Sequence, residues 1–428
     1  MKNYQTKPPR RLACGIWILG ASFFLLGFFH RVAPGVLTRE LTHAFELTAT
    51  SLGGLSSLYF YAYVAMQIPT GMLVDRIGPR RLLIFGGLIT ALGTVLFAFA
   101  PTLLWAGVGR FIIGGSVAVA FVSTLKLTAH WFPENRYSLA TGFLLVAGMI
   151  GAIFAGVPLQ WLSDTFGWRS VIGWSASIGI LICFIANWLV RDDPTERGYK
   201  SYYFASPTSP TIGMFAGLRK VLAYRNTWIM TLVPGGVVGA VLAFAGLWGV
   251  PFLTDIYNLS PALAATLCSG VMLSWAVGGP FFSVISERLF RRRSLYLLGT
   301  VLALFSWLIV LLIPNLPIWM LASFLLCAGL FSGGMVLGFS LAKESVPSSL
   351  SGTVTGLVNA GVMCGPMLLQ PIVGRFLDSM WDGRLEGSIR IYDAAAYRVG
   401  FSVMLVWLVI SVLLLIVARE SFCRQIVE

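Results

Sequence analysis

The chain has 428 residues, of which 57% are hydrophobic and 11% are charged. Soluble domains carry about 25% charged residues, so roughly half of the usual charge is missing, and a water-soluble fold of this length is excluded because it could not bury so much apolar surface. The net charge of +13 would suggest a nucleic-acid partner in a soluble protein. Here the basic residues concentrate in short loops on alternate sides of apolar runs, which indicates membrane orientation and not nucleic-acid binding.

Twelve apolar runs, separated by Pro, Gly or charged clusters, are long enough to cross a bilayer, which takes about 20 residues in a helix. Helices are predicted because unpaired backbone groups are too costly in hydrocarbon, and the runs lack the alternation of barrel strands. The first run continues past Phe29 without a small-residue cleavage site, so we expect a retained helix and not a signal peptide. The predicted spans are 12–35, 50–72, 82–100, 102–127, 137–160, 168–190, 226–250, 262–286, 294–313, 317–342, 352–375 and 397–418.

The basic residues also predict the orientation of the chain. Most Lys and Arg residues fall on one side of the membrane when the N-terminus is placed inside the cell, and the opposite orientation would invert that bias. We therefore expect a multi-pass plasma-membrane protein, such as one of the bacterial inner membrane, with both termini in the cytoplasm.

A long polar connection divides the spans six and six. It covers residues 191–225 and contains Ser, Pro, Tyr and several basic residues. We therefore predict an N-terminal six-helix bundle (1–190), a cytoplasmic central loop (191–225) and a C-terminal six-helix bundle (226–428).

The two predicted bundles share a repeated pattern. The acid–base cluster from Asp75 to Arg81, which follows the second span, recurs from Glu287 to Arg293 after the eighth span. The two clusters are as many residues apart as Phe45 and Tyr257, which precede the second and the eighth span. Two loops of one predicted bundle therefore match two loops of the other at the same offset. Parallel duplicated halves are a transporter architecture in which the solute site lies between the repeats.

The most specific segment, GMLVDRIGPRR, runs from Gly71 to Arg81 between the second and third spans. Gly71 would permit close helix approach, and Gly78-Pro79 turns the chain sharply. Asp75 lies at a helix end, where a carboxylate can accept hydrogen bonds from the N–H groups that open a neighbouring helix. The segment strongly resembles the signature loop between helices two and three of the major facilitator superfamily.

This resemblance covers nearly the whole chain and implies an all-α membrane protein whose twelve transmembrane helices form two pseudo-symmetric six-helix bundles. In the family, the acid matching Asp75 helps to latch the two halves on the cytoplasmic side when the cavity faces outward. The candidate partner here is the start of the eleventh helix, after Ser348, Ser349 and Ser351. The predicted conformational latch comprises Gly71, Asp75, Arg76, Gly78, Arg80, Arg81, Arg110, Glu287 and Arg288.

Arg110 enters this set through a second motif. The stretch from Gly109 to Gly114 resembles the family's Arg-x-x-x-Gly motif in the fourth helix. An Arg inside a span costs about 2.5–3.5 kcal/mol on insertion scales, so its side chain should face a partner or water. We favour a structural role for Arg110 over a role in proton movement.

Two further segments resemble the anion:cation symporter branch of the superfamily and its organic-acid and sugar-phosphate permeases. They run from Phe29 to Pro34 and from Lys126 to Pro133. In that branch the Arg matching Arg31 holds a substrate carboxylate. An acid usually precedes that Arg, whereas this chain has His30, and the stretch Gly115–Ala118 lacks the Glu that the branch often has in helix four.

Charges inside the spans indicate the class of solute. Arg31, Arg110, Lys126 and the titratable His30 are predicted inside spans, and no Asp or Glu is predicted at comparable depth. Buried cations need negative charge from water or a ligand, so the pattern favours an anionic or zwitterionic solute. Arg31 would hold the oxyanion in a bidentate way, with Lys126 as a second charge. The alternative is that Lys126 reaches the interface and Arg31 the outer surface.

His30 is the candidate for proton coupling, because an imidazole has an unperturbed pKa of about 6.5. Beside Arg31, its charged form should be disfavoured until an anion binds, which would link proton and anion uptake. The alternative is a histidine that only forms hydrogen bonds.

Four other polar residues are candidates for the lining of a cavity. Tyr59 and Tyr63 lie four residues apart, on one face of the second span, and Gln67 follows them. Asn359 lies in the eleventh span. The substrate-binding candidates are therefore Arg31, Lys126, Tyr59, Tyr63, Gln67 and Asn359, although packing or interfacial belts also account for the aromatic residues.

The sequence favours a secondary transporter that imports a small organic anion or an amino-acid-like metabolite by alternating access, coupled to protons. No Walker sequence, zinc-ligand cluster or nucleophile elbow is visible in the sequence, so an enzyme, a metal and a cofactor are not expected. The expected partners are the solute, a proton and the lipid bilayer, and we expect a monomer. Two alternatives stay open: a drug or metabolite efflux antiporter, and a non-transporting membrane sensor on the same fold.

Overall fold

A computed structural model describes residues 6–202, 214–347, 350–386 and 389–425. Helices make up almost all of its regular structure, and the exception is a two-stranded antiparallel hairpin near the C-terminal end. The helices are α1 (Arg10–Val36), α2 (Thr38–Phe45), α3 (Ala49–Ile77), α4 (Pro79–Ala98), α5 (Leu103–Trp131), α6 (Glu134–Phe154), α7 (Val157–Phe166), α8 (Trp168–Leu189), α9 (Met214–Val221), α10 (Arg225–Ala243), α11 (Gly249–Tyr257), α12 (Pro261–Leu289), α13 (Arg293–Leu312), α14 (Ile318–Ser332), α15 (Val336–Glu344), α16 (Ser351–Ser379) and α17 (Ala394–Val417), and the hairpin pairs β1 (Leu385–Glu386) with β2 (Ile389–Arg390).

The long helices agree with the predicted spans. In the described ranges, ten helical segments are long and apolar enough to cross a membrane, and the pair α6–α7, bent by 40°, makes an eleventh. The 29-residue helix α3 occupies the position of the second predicted span. The predicted all-α membrane architecture is therefore confirmed.

Several spans are interrupted, for identifiable reasons. α10 and α11 are joined by a π-helical turn, Phe244–Trp248, and α14 and α15 by the 3-10 turn Gly333–Met335. The side-chain amide of Gln370 donates to the carbonyl of Leu242 over 3.0 Å, and the carbonyl of Gln370 accepts from the indole of Trp248. These bonds connect the π turn and the helix before it to Gln370 of α16.

The chain divides into two compact units. One comprises Met1–Arg31 and Tyr61–Thr208, and the other comprises Val32–Phe60 and Ser209–Glu428. The second unit thus includes the end of α1, all of α2 and the beginning of α3. The predicted bundle boundaries at the central loop remain a prediction.

The third span of each predicted bundle begins under the same kind of cap. The backbone N–H of Arg80, at the start of α4, donates to Asp192 over 2.6 Å. At the start of α13, Glu420 accepts from the backbone N–H groups of Arg292, Arg293 and Ser294. Each acid follows the sixth helix of its bundle, so the caps repeat the internal duplication that the sequence pattern indicates.

Burial of Glu420 acts to raise its pKa, but the N–H groups that it accepts from outweigh burial and hold the pKa below the ordinary value.

The turn before α4 depends on a glycine. Gly78 has φ of +90°, and a Cβ atom there would lie 2.3 Å from Asp192. Only glycine fits both the conformation and the space.

Candidate solute site and gating residues

The guanidinium of Arg31 is buried in the first unit, with 4% of the residue exposed. Its Cζ atom lies 4.2 Å from the ring centroid of Phe28 and 5.0 Å from that of Tyr63. Two aromatic rings therefore contact the cation, and they hold it in one orientation. The N–H donors of a guanidinium lie in its plane and form a fork that matches a carboxylate. The structure thus brings together two of the predicted solute-binding residues, Arg31 and Tyr63.

His30 has different surroundings from its neighbour. Its imidazole Nε2 lies 3.3 Å from the hydroxyl of Thr94 on α4 and 3.4 Å from that of Ser175 on α8. The residue is 1% exposed. The imidazole therefore lies in the polar interior of the first unit, between three helices.

Arg110 supports the backbone of the same turn. Pro34 has no N–H, so the carbonyl of His30 lacks the donor that normally lies four residues along a helix. Nη1 of Arg110 donates to that carbonyl over 2.6 Å. This contact gives the buried Arg110 a structural role in α1.

Lys126 has a carboxylate partner, so the expected lack of an acid near it is wrong. Its Nζ donates to Asp75 over 2.7 Å and to the carbonyl of Val74 over 3.0 Å. The sequence-based spans ended too early, because α3 continues to Ile77 and α5 to Trp131. A predicted solute-binding residue and a predicted latch residue therefore form one ion pair.

Apart from Arg110, the other latch candidates lie around this helix end or on its repeat. Nη2 of Arg80 donates to the carbonyl of Asn187 over 2.7 Å. Among the described residues, a Cβ atom added at Gly71 would meet no atom within 4 Å, so they show no close helix approach at Gly71 in this conformation. Ser348 and Ser349 lie outside the described residues. The exposed members of the set are Asp75, Arg76, Arg81, Glu287 and Arg288.

The remaining solute candidates differ in burial. Tyr59 is fully buried, and its ring packs edge-on against that of Phe60 at 5.3 Å. Gln67 and Asn359 are partly exposed. Tyr59 and Asn359 belong to the second unit, whereas Gln67 belongs to the first.

Two acids of the second unit are not among the site residues that the sequence predicts. Asp255, in α11, has a side chain that is 9% exposed and accepts from the hydroxyl of Tyr397 over 2.8 Å. Asp378 lies in the last turn of α16. Both fall beyond the predicted ends of their spans. Asn258 is the sequence feature that could have shown that Asp255 still belongs to the helix. Asn often ends a helix in the left-handed conformation, as it does here with φ of 52°.

No metal site can be assigned: within the described ranges, no group of three or more His, Cys, Asp or Glu side chains could hold a metal ion.

The family profile described as Major Facilitator Superfamily matches residues 13–252 and 237–422, so it covers almost the whole chain in two stretches. The chain belongs to the major facilitator superfamily. The fold and the class, a membrane transporter and not an enzyme, are thereby confirmed.

Members of this superfamily from several bacteria are similar to the chain over most of its length. The transporter YybO of Bacillus subtilis is 26% identical and covers 88% of this chain and 90% of its own. GudP of Escherichia coli, named as a probable galactarate/D-glucarate transporter, is 23% identical, with coverage of 82% and 84%. SauU of Cupriavidus necator, named as a probable sulfoacetate transporter, is 23% identical and covers 66% of each chain.

A solved structure has the same superfamily fold. It is a bacterial homolog of the human lysosomal transporter Spinster in an inward-facing, unoccupied conformation, with a TM-score of 0.76 at 18% identity. The match covers 95% of this chain and 97% of that one.

Proposed function

We propose that this transporter imports a small organic anion by alternating access, with residues 1–190 and 226–428 moving against each other around a central site. The observation that carries the proposal is Arg31, a guanidinium buried in the first helix and oriented by Phe28 and Tyr63. Burial of an Arg within a span is costly, and such residues mark solute pathways. A carboxylate that docks on the fork of N–H donors would gain charge-assisted hydrogen bonds.

The relatives support an anionic solute. The galactarate/D-glucarate and sulfoacetate transporters are named for solutes that carry carboxylate or sulfonate groups. Tyr59, Tyr63, Gln67 and Asn359 remain proposed solute-binding residues. Lys126 is a weaker candidate, because it pairs with Asp75.

The experiment measures uptake of labelled glucarate and sulfoacetate into proteoliposomes. Arg31→Gln should reduce uptake at least tenfold, since loss of a charge-assisted pair costs more than about 1.4 kcal/mol. Arg31→Lys keeps the charge but loses the fork, so it should recover part of the uptake. Arg11→Gln is the matched control, because Arg11 is an exposed residue of the same helix. Full uptake by a folded Arg31→Gln variant would contradict the proposed site.

Proton coupling through His30 is the finer part of the proposal. Two hydroxyls adjoin its imidazole, and a charged imidazole near Arg31 and Arg110 would be disfavoured until an anion supplies compensating charge. His30→Gln should therefore abolish the stimulation of uptake by an inward proton gradient and should retain solute exchange without a gradient. A variant that still accumulates solute in response to the gradient would remove His30 from the coupling step.

We also propose that the protein lies in a bacterial inner membrane as a monomer, with both termini in the cytoplasm. The bias of basic residues toward the loops on the side of the N-terminus supports this orientation.

A further inference from the structure

Donors from two segments, the start of α3 and residues 390–392, converge on the carboxylate of Asp378, at the end of α16. The backbone N–H of Ala49 donates to Oδ1 over 3.1 Å, and that of Thr50 donates to Oδ2 over 2.8 Å. The hydroxyl of Tyr392 donates to Oδ1 over 2.7 Å, and Nη1 of Arg390 lies 3.3 Å from the same atom. Ala49 and Thr50 are the first two residues of the 29-residue helix α3. The carboxylate therefore caps the positive end of a long helix dipole.

The same two helices touch through their backbones. A Cβ atom at Gly53 of α3 would lie 2.5 Å from the carbonyl oxygen of Gln370. A Cβ atom at Gly374 of α16 would lie 2.3 Å from the carbonyl oxygen of Ala49. Glycine at both positions allows the approach that places the start of α3 within reach of Asp378.

The loop between α16 and α17 covers this contact. Tyr392 has a raised pKa because it is buried and faces the negative Asp378, so its hydroxyl stays protonated and donates. Glu386 of the hairpin lies 3.8 Å from Arg39 of α2, and Asp255 of α11 lies 4.0 Å from the same guanidinium. The segment 32–60 is thus bound to the rest of the second unit at two places.

We propose that the cluster of Asp378, Arg390, Tyr392 and the first N–H groups of α3, here termed the Asp378 lock, holds one end of the carrier closed. By chain order α3 belongs to the first predicted bundle, yet its first turns are bonded to α16 and packed in the second unit. This inference rests on the proposed alternating access. A solute can pass at this end only after the start of α3 leaves α16, which breaks the bonds to Asp378. In the proposed orientation this is the outer end.

The lock is tested by hydrogen exchange of the full-length protein in nanodiscs, without solute. Asp378→Asn keeps the shape and removes the charge, so amides near the start of α3 and in residues 380–393 should exchange about ten times faster. In a two-state carrier, opening at this end closes the other, so amides of residues 71–83 should exchange more slowly. Asp382→Asn is the matched control, because Asp382 lies in the same loop and pairs only with Arg384 among the described ion pairs.

A second variant leaves the carboxylate intact. Thr50→Pro removes the N–H that donates over 2.8 Å, and proline is tolerated in the first turn of a helix. It should produce the same opposed changes with a smaller amplitude. Unchanged exchange in both variants would overturn the lock, and so would faster exchange at both ends, because that indicates local loss of structure.

Exchange is measured without solute, so the two proposals fail separately. Opposed changes together with no uptake of organic anions would retain the lock and reject the proposed solute. Uptake that depends on Arg31, without the opposed changes, would retain the solute site and reject the lock.

Discussion

At the scale of single residues, the contact between Arg110 and the carbonyl of His30 explains why a charged side chain is retained at depth in α5. Pro34 leaves that carbonyl without a helical donor, and an unpaired carbonyl in hydrocarbon costs several kcal/mol. Nη1 of Arg110 supplies the donor over 2.6 Å. Because Arg31 follows His30 directly, the same contact fixes the backbone beside the proposed anion-binding residue.

Arg110→Gln should lower the free energy of unfolding by about 2 kcal/mol, the usual contribution of a hydrogen bond to a charged group. In a Pro34→Ala background, the loss of unfolding free energy caused by Arg110→Gln should be smaller by about 1 kcal/mol or more. Alanine restores a backbone N–H that can reach the carbonyl of His30. Denaturant titration of the four proteins of this double-mutant cycle measures the coupling. Strictly additive effects would show that Arg110 does not serve the carbonyl freed by Pro34.

Residue types and spacing predict which charged residues lie inside the spans, but they do not predict which groups those residues contact. The sequence places Arg31, Arg110 and His30 inside spans, and the structure buries all three. It does not predict that Lys126 pairs with Asp75, because that contact depends on where two helices end. Helix ends are poorly determined by hydropathy, since a polar residue in the last turn still belongs to the helix.

At the scale of helices, the acids that cap α4 and α13 connect the last span of each predicted bundle to its third. Burial raises the pKa of Glu420, and the backbone N–H groups of Ser294, Arg293 and Arg292 lower it by more. A carboxyl whose pKa is lower in the folded state stabilises the fold above its unfolded pKa, and this stabilisation is lost as the pH falls through the folded pKa.

Glu420→Ala should therefore lower the free energy of unfolding at pH 7 by about 1 kcal/mol, the usual value of a helix cap. The difference from the unsubstituted protein should shrink as the pH falls below about 4, the ordinary pKa of Glu, and it should disappear only below the lowered folded pKa, where the carboxyl is protonated in both states. Thermal unfolding followed from about pH 7 down to about pH 3 would measure both effects. Asp192→Ala tests the equivalent cap of α4. A difference that is independent of pH would contradict a charge-dependent cap at Glu420.

Hydropathy predicts the long helices because a span must be apolar over about 20 residues, whatever its neighbours. It does not predict the breaks inside spans. The π turn Phe244–Trp248 is as apolar as its flanks, and the bonds to Gln370 that accompany it join residues distant in sequence. The cap on α3 from Asp378 is missed for the same reason.

At the scale of the whole molecule, the two ends of α3 carry the groups that would set the conformational equilibrium. Its first N–H groups bind Asp378, and its last turns present Asp75 to Lys126. If Asp75 serves as the latch when the cavity faces outward, Lys126 competes for the same carboxylate in the conformation described here. The ion pair is partly exposed, so its own contribution to stability is small. Its effect would be on the balance between conformations.

Lys126→Gln should therefore favour the outward-facing conformation by freeing Asp75, whereas Asp75→Asn should disfavour it by removing the latch. An exposed pair contributes up to about 1 kcal/mol, so each shift should be about fivefold or less in the equilibrium constant. Hydrogen exchange at the Asp378 lock reports both: exchange there should rise in Lys126→Gln and fall in Asp75→Asn. Uptake kinetics separate an effect on the conformational balance from solute binding, because replacing a residue that contacts the solute would raise KM. A tenfold higher KM for Lys126→Gln with unchanged exchange would return Lys126 to the solute site and reject its competition for the latch.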